Sequence, residues 1–232
     1  MKPVVMLPLL MLSEISHGQK KDQFNEQRFQ MVKNQIEARG VKNHLTLEAM
    51  RKVERHRFVP DAYIDMAYAD CPLPIGNGQA ISQPYIVAFM TEAVHPAAGK
   101  KALEIGTGSG YQAAVLAEIT DTVYSIEIVP ELAISASKKL KELGYNNVIV
   151  KQGDGYIGWP AHAPFDIIIV TAACDHIPQP LIDQLAEGGY LIIPVGREHQ
   201  TQELVLINRK NRKIKKENLL PVRFVPFTRQ KD

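Results

Sequence analysis

Residues 102–111, A-L-E-I-G-T-G-S-G-Y, constrain this chain more than any other stretch. An apolar run ends at a carboxylate, Glu104, and three glycines follow within five residues: Gly106, Gly108 and Gly110. Residues 112–119 are rich in Ala and Leu and read as a helix. The stretch therefore predicts a strand, a tight glycine turn and a helix. Glycine suits such a turn because it adopts positive φ freely and lets a ligand approach the backbone. In an open α/β sheet this turn lies at the carboxyl end of a strand, where ligands bind.

Two familiar ligands do not fit the spacing. A dinucleotide turn, G-x-G-x-x-G, counted from Gly106 needs a third glycine where Tyr111 stands. A phosphate loop needs a lysine after its last glycine, and Gly110 is followed by Tyr111. Taken alone, the turn is compatible with a nucleotide-like ligand or with nothing more than a tight strand–helix connection.

The rest of the chain extends the pattern. Residues 122–127 read as a strand, and a helix opens at Pro130, the favoured first-turn position, and stops at Gly144. Residues 147–151 form a strand ending at G-D-G (Gly153, Asp154, Gly155), and residues 165–171, F-D-I-I-I-V-T, form a nearly continuous apolar strand. A helix at 179–186 and a strand at 190–195 follow, then an antiparallel hairpin from residues 202–207 and 222–227. Before the turn, residues 24–39 and 46–56 carry apolar positions three and four apart, the signature of helices. Residues 71–84 hold three prolines and two glycines and read as an ordered loop leading into a helix over 85–95. The fold class is α/β: a doubly wound, mostly parallel seven-stranded sheet with N-terminal helices and a C-terminal antiparallel hairpin.

Composition narrows the partners. The 232 residues carry a net charge of +2, too mild to argue for nucleic acid or an anionic membrane. The basic run over residues 209–216 reads as a solvated turn between two strands. Cys71 and Cys174 lack metal-ligand spacing, so no metal site is predicted. At the N-terminus, Lys2 precedes an apolar run over 4–12, then Ser13, Ser16 and Gly18, which resembles a short signal peptide cleaved after Gly18. Pro8 within the run and Glu14 beside the would-be cleavage region argue against export. Residues 1–22 are read as an extension outside the fold.

Three consecutive strands carry an acid at or just beyond the carboxyl end: Glu104, Glu127 and Asp154. These ends share one rim of the sheet. A phosphorylated cofactor would call for basic residues and helix N-termini there; carboxylates select a ligand with hydroxyl and amine groups and positive charge. Glu127 can accept from the two hydroxyls of a ribose, and Asp154 lies where an adenine amino group could reach. The reading favours a cationic nucleoside over a dinucleotide, a description S-adenosyl-L-methionine satisfies without being singled out.

E-I-G-T-G-S-G, the acid of Y-S-I-E and the later G-D-G resemble class I S-adenosylmethionine-dependent methyltransferases. P-L-P-I-G-N-G-Q-A-I-S-Q-P-Y-I-V-A, P-F-D-I-I-I-V-T-A-A and P-V-R-F-V-P resemble the protein-L-isoaspartate O-methyltransferases, over nearly the whole chain beyond its N-terminal extension. The resemblance implies a Rossmann-like methyltransferase fold over residues 23–232. It implies transfer of a methyl group from S-adenosyl-L-methionine, leaving S-adenosyl-L-homocysteine, to the free α-carboxylate of L-isoaspartyl residues in damaged proteins and peptides. The ester then closes to a succinimide that hydrolyses in part to aspartate.

Residue roles follow from the same resemblance. Gly106, Gly108 and Gly110 would hold the methionine end of the cofactor, with Ser109 within reach, and Glu104 would belong to the cofactor site. Glu127 would hold the ribose, Ile128 would lie against the adenine, and Asp154 and Gly155 would face it. Gln79, Ala80 and Ile81 would line the cleft, and Thr228 would close over the cofactor. Ser82 matches the active-site serine, with Thr171, Ala172 and Ala173 beside the substrate. From position alone, Ser82 reads as a helix N-cap or turn residue. Ala80 stands where the family often has Thr, and Cys174 follows T-A-A; neither removes an essential group. T-A-A-C at the end of the fourth strand also differs from the N-P-P-Y or D-P-P-Y of amino-directed base methyltransferases. A metal-free monomer acting on proteins, off nucleic acid and membranes, is expected. The expected location is the cytoplasm, with export the alternative if residues 1–18 are cleaved.

Overall fold

A computed structural model describes residues 23–198 and 200–229. The extension over residues 1–22 lies outside the described residues. The first described element is a helix, α1 (residues 23–31), which widens into a π turn at Val32–Ile36 and tightens to a 3-10 turn at Glu37–Arg39. The single regular helix expected here is thus wound three ways. Phe29, placed on the apolar face by its spacing, is 51% exposed, and Met31, Val32 and Ile36 are the buried apolar residues. Helix α2 (His44–Lys52) is capped by Asn43, whose side chain accepts from the Thr46 amide at 2.9 Å. It stops short of the predicted end because Val53 turns extended, and a separate 3-10 turn covers Arg55–Phe58.

The segment read as a loop contains a small hairpin. Strands β1 (Leu73–Gly76) and β2 (Gln79–Ile81) pair antiparallel around Asn77-Gly78. Both turn residues have positive φ, 51° and 69°, as a tight two-residue turn requires, and Asn-Gly is its usual sequence. Helix α3 (Pro84–Ala93) follows, with its proline in the first turn.

From there strand and helix alternate: β3 (Lys101–Ile105), α4 (Tyr111–Ala117), β4 (Thr122–Glu127), α5 (Pro130–Glu142), β5 (Val148–Gln152) and β6 (Phe165–Val170). Helix α6 (Gln179–Asp183) precedes the long strands β7 (Leu185–Val195), β8 (Gln202–Lys210) and β9 (Lys213–Val222). The seven-stranded sheet has the order β5-β4-β3-β6-β7-β8-β9, parallel from β5 to β7 with an antiparallel β7-β8-β9 end. The order reverses at β3, whose neighbours are β4 and β6, and a crevice opens at that switch point.

Two details depart from the expectation. Helix α6 is shorter and β7 begins earlier, taking in Glu187, Gly188 and Gly189. The last strand is Lys213–Val222, not residues 222–227, and the basic run spans the end of β8, the turn and the start of β9. Asn211 and Arg212 supply the positive φ of that turn, and β9 is an exposed edge strand whose lysines hide its pattern.

The sheet is buried on both faces. Ile167 and Ile169 belong to the core beneath the N-terminal helices and α4, and Ile168 and Val170 belong to the opposite core with Leu103, Ile126 and Leu191. This explains the uninterrupted apolar run of β6.

Candidate active site

The crevice is built from the glycine turn upward. At Gly106 the backbone has φ +96°, and a Cβ there would fall 2.3 Å from Thr171 Oγ1. The Thr171 hydroxyl sits 2.7 Å from the Gly106 carbonyl and 3.0 Å from that of Ile105, donating into the turn. The amides of Gly106 and Thr107 both reach the Ile126 carbonyl, at 2.8 and 3.3 Å. Glu127 completes the frame: its carboxylate accepts from the Gly108 amide at 2.7 Å and from the Val129 amide at 3.0 Å. The carboxylate at the end of β4 therefore holds the turn after β3 in place while keeping acceptor capacity for a ligand.

One cavity, of about 760 Å3 including its open mouth, collects most of the residues picked out by sequence. Gln79, Ala80, Ile81 and Ser82 come from the hairpin side; Glu104, Gly106, Gly108 and Ser109 from the turn; Glu127, Ile128 and Gly155 from the next two strand ends. Thr171 and Ala172 line it after β6, and Thr228 at its roof. Three others do not line it. Gly110 packs under Leu140 of α5. Asp154 accepts from the Tyr156 amide at 2.9 Å and from Arg229 Nε at 2.8 Å, standing behind the wall. Ala173 holds the roof through its backbone: its amide donates to the Val225 carbonyl at 2.9 Å and its carbonyl accepts from Phe227 at 2.8 Å.

Sequence reasoning missed several lining residues: Val87, Ile105, Thr107, Tyr111, Gln112, Ile126 and the strap Val225, Pro226 and Phe227. The strap was read as a strand, yet it leaves the sheet after Val222 and crosses the cavity. Parallel register, which sets Ile105 beside Ile126, is the signal that could have added that pair.

Ser82 is half-buried and is not the helix cap: Gln83 holds that position. Among the described residues Ser82 makes no side-chain hydrogen bond, so its hydroxyl is available to the cavity. Among the described residues no histidine lines the cavity. His176 is engaged with Tyr156, at 2.9 Å, and with Asp175, so no histidine-activated serine is assembled.

Among the described residues no lysine or arginine lines the cavity either, and two carboxyl groups do. Glu104 is fully buried; desolvation, reinforced by the nearby Glu127, pushes its carboxyl up to about 8, against the lowering pull of the Ser125 hydroxyl. Its Oε1 has no partner among the described residues. A cavity with buried acid and no base fits a ligand that carries positive charge and is not phosphorylated.

The comparisons with known proteins agree with this chemistry. The family model described as protein-L-isoaspartate(D-aspartate) O-methyltransferase matches residues 26–232. The chain belongs to that family. A protein-L-isoaspartate O-methyltransferase of Gloeobacter violaceus is 58% identical over 201 residues, covering 87% of this chain and 98% of that protein. One from Opitutus terrae is 53% identical over 226 residues, 97% of each chain. A solved structure of the same description superposes with TM-score 0.78 at 31% identity, over 87% of this chain and 65% of the other. A Plasmodium falciparum chain described as a family member, solved with S-adenosyl-L-homocysteine, gives TM-score 0.75 at 27% identity, over 88% and 99%. As in the family, the sheet is seven-stranded with an antiparallel end, and S-adenosyl-L-methionine is the methyl donor.

Proposed function

We propose that this chain methylates the free α-carboxylate of L-isoaspartyl residues in damaged proteins, at the expense of S-adenosyl-L-methionine, so that the ester returns through a succinimide to aspartate. The observation that carries this reading is a cavity with the glycine turn and Glu127 on one wall and Ser82 on another, lined among the described residues by acids and no base. When bound, the cofactor supplies a methyl group already activated on a sulfonium.

The unpartnered Oε1 of Glu104 and the glycine cradle fit such a cation. Gly106–Ser109 would hold the methionine end, Glu127 the ribose, Ile128 and Gly155 the adenine, with Thr228 as cover. The acceptor is ionised at neutral pH, since an α-carboxyl has a reference pKa of about 3.3–3.7, and needs no general base. What remains for the protein is alignment and exclusion of water. Alignment alone can supply up to roughly 7–11 kcal/mol. The strap over residues 225–228 and the hairpin β1–β2 enclose the site for this purpose. Among the described residues there is no cluster of three metal-ligating side chains, and no helix long and apolar enough to cross a membrane. A cytoplasmic monomer whose catalytic domain spans residues 23–232 fits the supply of the donor, and N-terminal sequencing of the native protein reads out any cleavage.

The direct test is methyl-ester formation on an isoaspartyl peptide with radiolabelled S-adenosyl-L-methionine. Cofactor binding without ester formation overturns the reading. Within it, Ser82 orients the acceptor carboxylate by a hydrogen bond and is no covalent nucleophile. Ser82→Ala is therefore expected to lower kcat/KM for the peptide by about 10- to 150-fold, the worth of one hydrogen bond to a charged group, with cofactor affinity unchanged. Full activity of the variant, or a methyl-serine adduct on the wild type, rejects this role.

Glu127→Gln sets an amide N–H2 where the carboxylate now receives two backbone amides. Affinity for S-adenosyl-L-homocysteine is expected to fall about 10- to 100-fold by calorimetry, with the fold retained. Unchanged affinity would remove Glu127 from the ribose site.

A further inference from the structure

Within the wall of the proposed cofactor cavity, two hydroxyls and one carboxyl form a buried line that the reaction itself does not use. Ser125 Oγ donates to Glu104 Oε2, and Thr107 Oγ1 lies 2.6 Å from Ser125 Oγ. Ser125 is the direct register partner of Glu104 across β3 and β4. All three side chains are shut off from solvent, at 0% exposure for Glu104 and Ser125 and 3% for Thr107. With Ser125 donating to Oε2, its oxygen is left to accept the Thr107 proton, so both hydroxyls point their protons toward the carboxyl. Oε1 has no side-chain partner, while the Ala113 backbone amide of α4 lies near the carboxyl and favours its charged form. The titratable group that acts on Glu104 is Glu127 from β4, and the other titratable side chain lining the cavity among the described residues is Tyr111 from α4; neither brings positive charge. On the β6 side its register partner is Ile169.

A carboxyl so placed carries a charge only at a desolvation cost that a nearby cation would offset. We propose that Ser125 and Thr107 are positioning residues that fix Glu104 as a proton-discharging element: the carboxyl is neutral in the free protein, and a ligand bearing an ammonium group binds as the proton leaves from Oε1. The inference rests on the cofactor reading above. The proton lost from Oε1 passes to solvent buffer, the carboxylate left behind faces the ligand's positive charge, and no bond is otherwise made or broken. The hydroxyl pair keeps the resulting charge solvated from the Oε2 side, work that water cannot do at a site of zero exposure.

The test is calorimetric titration with S-adenosyl-L-homocysteine in buffers of different ionisation enthalpy, which reads protons released per ligand bound. The wild type is expected to release close to one proton at pH 7, falling toward zero above pH 9, and Glu104→Gln to bind with no release. Adenosine, which has no ammonium, is expected to bind without release. Ser125→Ala removes a hydrogen bond to the charged form, so the midpoint of the release curve moves up by about one to two pH units. Thr107→Val moves it the same way by less, and Ser125→Thr restores it.

Zero release by the wild type, release retained in Glu104→Gln, or an unmoved midpoint in both Ser125→Ala and Thr107→Val overturns the proposal. Failure of the wild type to bind S-adenosyl-L-homocysteine at all would instead reject the cofactor reading. Native unfolding transitions for each variant keep a misfolded protein from being scored as either.

Discussion

Gly106→Ala is expected to cost this protein about 1.5–3.5 kcal/mol of stability and to abolish measurable binding of S-adenosyl-L-homocysteine. Two independent terms add. A side chain at φ +96° is strained by about 1–2 kcal/mol. The new methyl would also sit 2.3 Å from Thr171 Oγ1, so the threonine must turn away and give up its hydrogen bonding to the Ile105 and Gly106 carbonyls. The hydroxyl shares its one proton between the two carbonyls, an interaction worth about 0.5–1.5 kcal/mol. The affected carbonyls and amides frame the turn that would hold the methionine end, so binding fails with stability.

The overlap and the strain can be separated. Thr171→Ala removes the obstructing hydroxyl, so the double variant Gly106→Ala/Thr171→Ala should be more stable than the sum of the two single losses predicts, by about 1 kcal/mol or more. Urea unfolding of the four proteins measures this. A Gly106→Ala protein as stable as wild type would show that the turn relaxes without cost, and that neither φ nor Thr171 constrains the site.

The second large effect is a dependence of stability on pH that belongs to one side chain. Burial raises the Glu104 carboxyl from 4.5 to about 8 in the folded chain. The folded protein therefore holds a proton that the unfolded chain has already lost throughout the interval between those values. Stability falls as pH rises wherever the unfolded state binds fewer protons. The neutral carboxyl thus contributes its full stability below about pH 4.5, and that contribution is lost as pH rises through about 8.

At about 1.4 kcal/mol per unit, the ligand-free wild type is expected to lose about 3–5 kcal/mol between pH 5 and 8 that Glu104→Gln keeps. All other titrations are common to both proteins and cancel in the difference. Unfolding free energies from urea titrations at several pH values give the comparison. Parallel curves would mean that Glu104 is already ionised in the free fold.

The parts of this molecule that were legible in sequence are those set by backbone periodicity and steric need. Alternating strands and helices from Lys101 onward, the acids at three strand ends and the glycines after β3 all express local rules, and the sheet obeys them. The hairpin β1–β2 was equally local: Asn77-Gly78 spelled it out, but the surrounding prolines drew the reading toward a loop. The strap over residues 225–228 was not legible, because R-F-V-P-F has the composition of a strand and only its tertiary bonds to Ala173 take it out of the sheet. Asp154 shows the same limit. Its place at a strand end was readable, but not that Tyr156 and Arg229 would claim both of its oxygens. Ser125 looked like an ordinary strand residue until parallel register set it beside Glu104.

The basic run closing the β8–β9 hairpin has a bearing on how the molecule behaves in a crowded solution. Strand β9 is an outer edge with open backbone hydrogen-bonding groups, the kind of edge onto which a second copy could add and begin an aggregate. Lys213, Lys215 and Lys216 are exposed along that edge, and Lys210 faces Lys213 across the pair. Two such edges brought together would set lysines near lysines, a repulsion that Glu217, the one acid of the strand, offsets only in part. What looks in sequence like an idle charged turn is what terminates the sheet, so that seven strands are also the last seven.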